Sequence, residues 1–109
     1  SGCDDGGSPV KVSPKILVGR NIFGGTARVP IVEITSVVDT VKIKNVIGNN
    51  GNCLMTSIRQ REYPKVIKYG EKTIAGFTAK CNLLKIKVIT DHGDWEFKFD
   101  HIPEQHVQM

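Results

Sequence analysis

The cysteines are the residues of this chain best suited to chemistry, and their surroundings decide which chemistry. Cys53 follows the turn-rich stretch NNGN and opens an apolar run, and Cys81 lies 28 positions later, just before another. A nucleophilic thiolate needs an oriented base. The histidines fall elsewhere, with His92 in a short DHGD connection and His101 and His106 near the end of the chain. A structural zinc site calls for four ligands with close pairs such as CxxC, and the sequence has no such pair. Both cysteines sit beside turn residues, where two sheet ends can approach within the roughly 4.4 to 6.8 Å Cα separation of a disulfide. A Cys53–Cys81 bridge is favoured over two buried free thiols, and a persistent bridge implies an oxidising compartment.

Cys3 is the odd one out. The opening SGC resembles the end of a bacterial lipobox, in which a Leu and two small residues precede the cysteine that is cleaved and acylated. The following DDGGS resembles the polar tether of such lipoproteins, although the Leu is not in this chain. The resemblance implies lipidation at Cys3 and contact with a membrane through that lipid alone. The plain alternative is an unpaired thiol in a polar leader.

Other constellations are weaker. IRQREYPK gathers Arg59, Arg61, Tyr63 and Lys65 in one loop, a group that offers charge plus an aromatic face to an acidic partner. Alternation around Glu62 fits a solubilised turn equally well. DHGD supplies Asp91, His92 and Asp94, but hairpin turns attract Asp and Gly for backbone reasons alone. FGG at Phe23 to Gly25 lacks the spacing and following helix of a phosphate loop. No catalytic group, metal site or cofactor is expected.

The elements that must position these residues follow a period of two. VKIKNVI sets Val41 and Ile43 against Lys42 and Lys44, and LKIKVIT sets Leu84, Ile86 and Val88 against Lys85 and Lys87. WEFKF turns Trp95, Phe97 and Phe99 inward, and DHGD joins it to the preceding run as a hairpin. Trp95 reads as core rather than as a ligand platform. Further strands are expected at Val10 to Val18, Val29 to Thr35, Leu54 to Ile58, Val66 to Tyr69 and Lys72 to Phe77. Pro9, Pro14 and Pro30 predict that the first strand lies at an edge or breaks in two. Eight short strands with no helical stripe predict an all-β antiparallel sandwich. Residues 1–9 read as a leader or tether, 10–100 as the domain and 101–109 as a polar tail.

At 109 residues with 39% hydrophobic content the chain is one globular domain. No apolar run approaches the roughly 18 to 20 residues of a membrane-spanning helix. The formal charge of +4 is spread over alternate positions, which reads as a solvated surface rather than as a nucleic-acid footprint.

Taken together, VKIKNVIGNNGNC and VIKYGEKTIAGFTAKCNLLKIKVITDHGDWEFKF resemble the IrmA-type group of small exported bacterial β-sandwich proteins. The matching positions are Asn49, Gly51, Asn52, Cys53, Tyr69, Gly70, Cys81, Asn82, Thr90, Asp91, Gly93, Trp95 and Phe97. The resemblance implies a fibronectin type III or immunoglobulin-like sandwich with a Cys53–Cys81 disulfide. It also implies homodimerisation by strand exchange, contact with host or envelope proteins, and no enzymatic activity. A lipid-anchored start would depart from the antigen that typifies that group, which is freely secreted.

The expected function is therefore that of a noncatalytic protein-interaction module in the periplasm, at the cell surface or secreted, with Arg59, Arg61, Tyr63 and Lys65 as contact residues. Two alternatives remain at this stage. One is an OB-like barrel that binds nucleic acid; the other is an accessory or inhibitor lipoprotein of an envelope enzyme or secretion system.

Overall fold

The structure, a computed structural model, describes residues 7–20, 24–56, 61–78 and 81–108, with residues 107 and 108 as backbone only. Eight strands run in chain order: β1 Val10–Arg20, β2 Thr26–Ser36, β3 Thr40–Gly48, β4 Lys65–Lys68, β5 Lys72–Gly76, β6 Lys85–Thr90, β7 Gly93–Lys98 and β8 Glu104–Gln108. They form two sheets of order β5-β2-β1-β8 and β4-β3-β6-β7. Every pairing is antiparallel except β1 with β8. With β8 set aside, this is the three-on-four arrangement of a fibronectin type III-like sandwich; the strand pattern predicts the antiparallel sandwich, and the resemblance implies its type. It is not the five-stranded barrel of an OB-like domain.

The core lies between the sheets, where alternate residues of both meet. Val32, Ile34, Val41, Ile43, Ala75, Phe77, Ile86 and Val88 are fully buried. Deeply buried Ser36 and Thr90 satisfy their hydroxyls locally, Ser36 by donating to the Val38 carbonyl at 2.7 Å and Thr90 to that of Gly93 at 2.8 Å. Neither leaves an orphan group in the apolar layer.

β3 shows how a sequence irregularity becomes geometry. Lys44 and Asn45 are adjacent polar residues, and a strict alternation would turn one of them inward. Instead the register shifts between Ile43 and Asn45, so the two together oppose Ile89. Both are exposed, and Val46 returns to the core. The bulge keeps both polar residues outward at the cost of one unpaired position.

The prolines are accommodated differently from the sequence expectation. β1 is continuous and lies between two strands. The Ile16 N–H donates away from β2 to the Pro103 carbonyl at 2.9 Å, so the nitrogen of Pro14, two residues earlier, faces the same side. β8 begins pairing only at Ile16, and the missing donor therefore meets no described strand. Pro30 turns its backbone toward β5 just beyond the last pair, Ile31 with Gly76, and its carbonyl accepts from the Phe77 N–H.

Three boundaries also move. Pro9 is fully buried, its carbonyl accepts from the Val37 N–H at 3.0 Å, and Gly7 packs on the Trp95 ring, so the folded body starts before Val10. The expected strand Leu54 to Ile58 reduces to single bridges, Cys53 with Gly48 and Met55 with Phe77; residues 57 and 58 lie outside the described residues. The segment read as a polar tail supplies β8, paired in parallel with Ile16–Arg20.

β8 is pinned by an ion pair between Arg28 of β2 and Glu104. The hydrogen bond from the guanidinium, and then its charge, lower the Glu104 pKa from the ordinary glutamate value. A depressed carboxylate pKa contributes stability above the unfolded-state pKa, and that stability is lost as pH falls through the folded-state value. Amide exchange of β8, corrected for intrinsic rates, is thus expected to accelerate relative to β2 between neutrality and about pH 3. The same acceleration in an Arg28→Gln protein would refute this.

Candidate interaction surface

The outer face of the β4-β3-β6-β7 sheet collects side chains that lie far apart in sequence. β3 contributes Lys42, Lys44, Asn45 and Ile47, β4 Val66 and Lys68, β6 Lys85, Lys87 and Ile89, and β7 Asp94, Glu96 and Lys98. The register arranges them in rows: Val66 beside Lys42, Asn45 with Ile89 and Asp94, Ile47 with Lys87 and Glu96, and Lys85 opposite Lys98. Six lysines against Asp94 and Glu96 equal the whole formal charge of the chain, +4; the remaining nine basic and nine acidic residues cancel. Charge that looks diffuse along the chain is concentrated by the fold.

Two further carboxylates stand at the rim, each turned to a backbone amide. Asp91 accepts from the Lys42 N–H at 3.0 Å, and Glu71 from the Lys68 N–H at 2.7 Å. The Lys42 bond leads the influences that lower the Asp91 pKa. The sequence assigned Asp91 to its own hairpin turn. That turn is instead organised by Thr90, whose hydroxyl accepts from the His92 N–H at 3.0 Å, and by Gly93 at φ 116°.

Lys85 and Lys98 are direct cross-strand partners, and like charges placed opposite one another destabilise a sheet. Lys85 finds Glu96 at 3.8 Å, whereas Lys98 makes no ion pair among the described residues. An open depression of about 450 Å³ lies beside them, lined by Asn49, Asn50, Asn52, Leu84, Phe99 and Asp100 as well as both lysines. A smaller one of about 180 Å³, between Ile47, Asn50, Lys85, Lys87 and Glu96, adjoins it on the same face.

The wall of the depression is the 3-10 turn Asn49–Gly51 that follows β3. Asn49 and Asn50 adopt positive φ of 47° and 57°, a region asparagine enters more readily than most residues. The Asn49 side chain then ties the turn to the start of β6. Its Nδ2 donates to the Asn82 carbonyl at 2.6 Å, and its Oδ1 accepts from the N–H groups of Leu84 at 2.7 Å and Lys85 at 3.1 Å. Cys53 and Cys81 close the same end as a disulfide, with Cα atoms 5.5 Å apart. Gly48 is required beneath them, since a Cβ there would lie 2.9 Å from both Cys53 Cβ and Phe77 Cε1.

The sequence-predicted contact loop is dispersed by comparison. Tyr63 packs against the core, with its hydroxyl donating to the Ile74 carbonyl at 3.3 Å, so its ring is a structural anchor. Lys65 lies 3.8 Å from Glu62, and Arg61 is exposed. Arg59 and Cys3 lie outside the described residues. Trp95 is inward and half-buried as expected, but its buried indole N–H finds no acceptor among the described residues. No group of three or more His, Cys, Asp or Glu side chains among the described residues is placed to hold a metal ion. No helix among them is long and apolar enough to cross a membrane.

The chain matches no family model, no curated protein and no solved structure. What can be said of its chemistry therefore rests on the surface itself. The surface offers a broad array of ammonium groups on a four-stranded sheet, with the Asn50 and Asn52 amides, unpaired among the described residues, and a shallow apolar floor at one end. That is equipment for binding anions.

Proposed function

We propose that this chain is a noncatalytic binding module that works outside the cytosol and presents the lysine face of its four-stranded sheet to an anionic macromolecule. The observation that carries this reading is the collection of six lysines against two carboxylates on the strand positions of one sheet face, including an opposed lysine pair that folding alone disfavours. The Cys53–Cys81 bridge supports the compartment, because such bonds persist where thiols are not kept reduced. It also supports the noncatalytic reading by removing both cysteines from nucleophilic chemistry. The contact surface is shifted from the Arg59 to Lys65 loop to the sheet, since Tyr63 is committed to the core. The resemblance to the IrmA-type group accords with an exported binding domain.

Intact mass of the native protein from fractionated cells tests the compartment. The expected species is in the envelope or medium and lighter by two hydrogens than the reduced chain; any acyl group on Cys3 would register in the same spectrum. A cytosolic protein with free Cys53 and Cys81 would overturn the reading.

A further inference from the structure

We infer that the outer face of the β4-β3-β6-β7 sheet binds an acidic polysaccharide, with a carboxylate or sulfate group seated between Lys85 and Lys98. The inference deepens the binding-module reading above and rests on it. Three features of the depression beside this pair fit a sugar acid. The opposed ammonium groups supply a charge site that an anion would relieve of mutual repulsion. Asn50 and Asn52 line the depression, and their side-chain amides make no hydrogen bond among the described residues, leaving donors and acceptors for hydroxyl groups. Leu84, 57% exposed, and half-buried Phe99 give an apolar floor for the C–H face of a sugar ring.

The rest of the face extends the site. Lys87 follows Lys85 on the same side of β6, about 7 Å along at strand spacing, and Lys42 and Lys44 lie one strand over. An extended polyanion crossing these strands meets successive cations without any change of backbone. The same face argues against other anions. Its strand positions carry no outward aromatic on which a nucleobase could stack; the nearby aromatics are Phe99, which packs against the core, and Tyr69, which stands beyond the end of β4. Of its outward apolar residues Ile47 and Ile89 are half-buried, and the exposed one, Val66, has a short side chain, so the strands offer a bilayer no long apolar group.

The test uses the full oxidised chain and five probes at matched charge concentration: polygalacturonate, heparin fragments, polyglutamate, oligothymidylate and vesicles containing anionic lipid. The glycans are expected to bind about tenfold more tightly than the other three, with affinity falling as salt rises. Lys85→Gln/Lys98→Gln is expected to weaken glycan binding about tenfold, while Lys11→Gln/Lys72→Gln on the opposite sheet changes it less than about twofold. The neutral substitution Asn52→Ala is expected to weaken the glycans about threefold and leave polyglutamate unchanged. Thermal melts of each variant confirm folding.

Glycan binding no tighter than that of oligothymidylate, polyglutamate or vesicles would overturn the inference. If polyglutamate binding alone depends on Lys85 and Lys98, the glycan assignment falls and the anionic-surface reading stands. If neither lysine matters for any probe, both fall.

Discussion

Replacing Cys53 and Cys81 together by alanine is expected to lower the unfolding free energy by about 3 to 4 kcal/mol, the chain-entropy value for a covalent loop of this length. The bridge spans 28 positions, from the turn after β3 to the approach to β6. The Cα separation of 5.5 Å lies in the range disulfides adopt. The loss is a large share of the roughly 5 to 15 kcal/mol available to a domain of this size, and corresponds to about 15 °C or more in Tm. The double substitution is the cleaner comparison, since a single one leaves an unpaired thiol in a buried or half-buried site. Urea unfolding of the variant, and of the reduced native protein, should agree within error. A change below about 1 kcal/mol would show that the unfolded chain is already constrained there by other means.

Much of the sandwich is legible in the sequence because its information is local. Val41 to Lys44 and Lys85 to Thr90 declare their inward and outward faces by alternation, whereas Leu84, inward by the same period, is exposed; Gly93 marks the hairpin by the positive φ it adopts. β8 is not legible for the opposite reason. Its residues, EQHVQ, carry no apolar alternation, and they become a strand because the free edge of Ile16–Arg20 offers hydrogen bonds and Arg28 offers a counter-ion. Tyr63 likewise looks like a surface aromatic from its charged neighbours, yet the core and the Ile74 carbonyl claim it.

The lysine face is the instructive middle case. The period of each strand turns Lys42, Lys44, Lys85, Lys87 and Lys98 outward, and taken strand by strand their charge looks dispersed. What alternation does not contain is which strands are neighbours. β3 and β6 are separated by two strands in the chain, yet they adjoin in the sheet, with Ile47 opposite Lys87. Their outward positions therefore merge with those of β7 into one electrostatic surface. Long-range pairing converts a pattern that is bland in one dimension into a site in two.

The residue on which that site's geometry depends most is Asn49, and Asn49→Ala is expected to destabilise the fold by about 2.5 to 5.5 kcal/mol. Three side-chain hydrogen bonds disappear, each with a net contribution of about 0.5 to 1.5 kcal/mol, and alanine at φ 47° adds strain of about 1 kcal/mol. Two other substitutions separate these causes. Asn49→Gly relieves the backbone but loses all three bonds. Asn49→Asp retains acceptors for the Leu84 and Lys85 amides while facing the Asn82 carbonyl with a second acceptor in place of a donor. The expected order of stability by urea unfolding is Asn, then Asp, then Gly, then Ala. Glycine equal to asparagine would mean that the side chain is dispensable and only the left-handed backbone is required. Aspartate at or below alanine would mean that the bond to Asn82 dominates, and that β6 is held to the turn by the donor rather than by the two amides it caps.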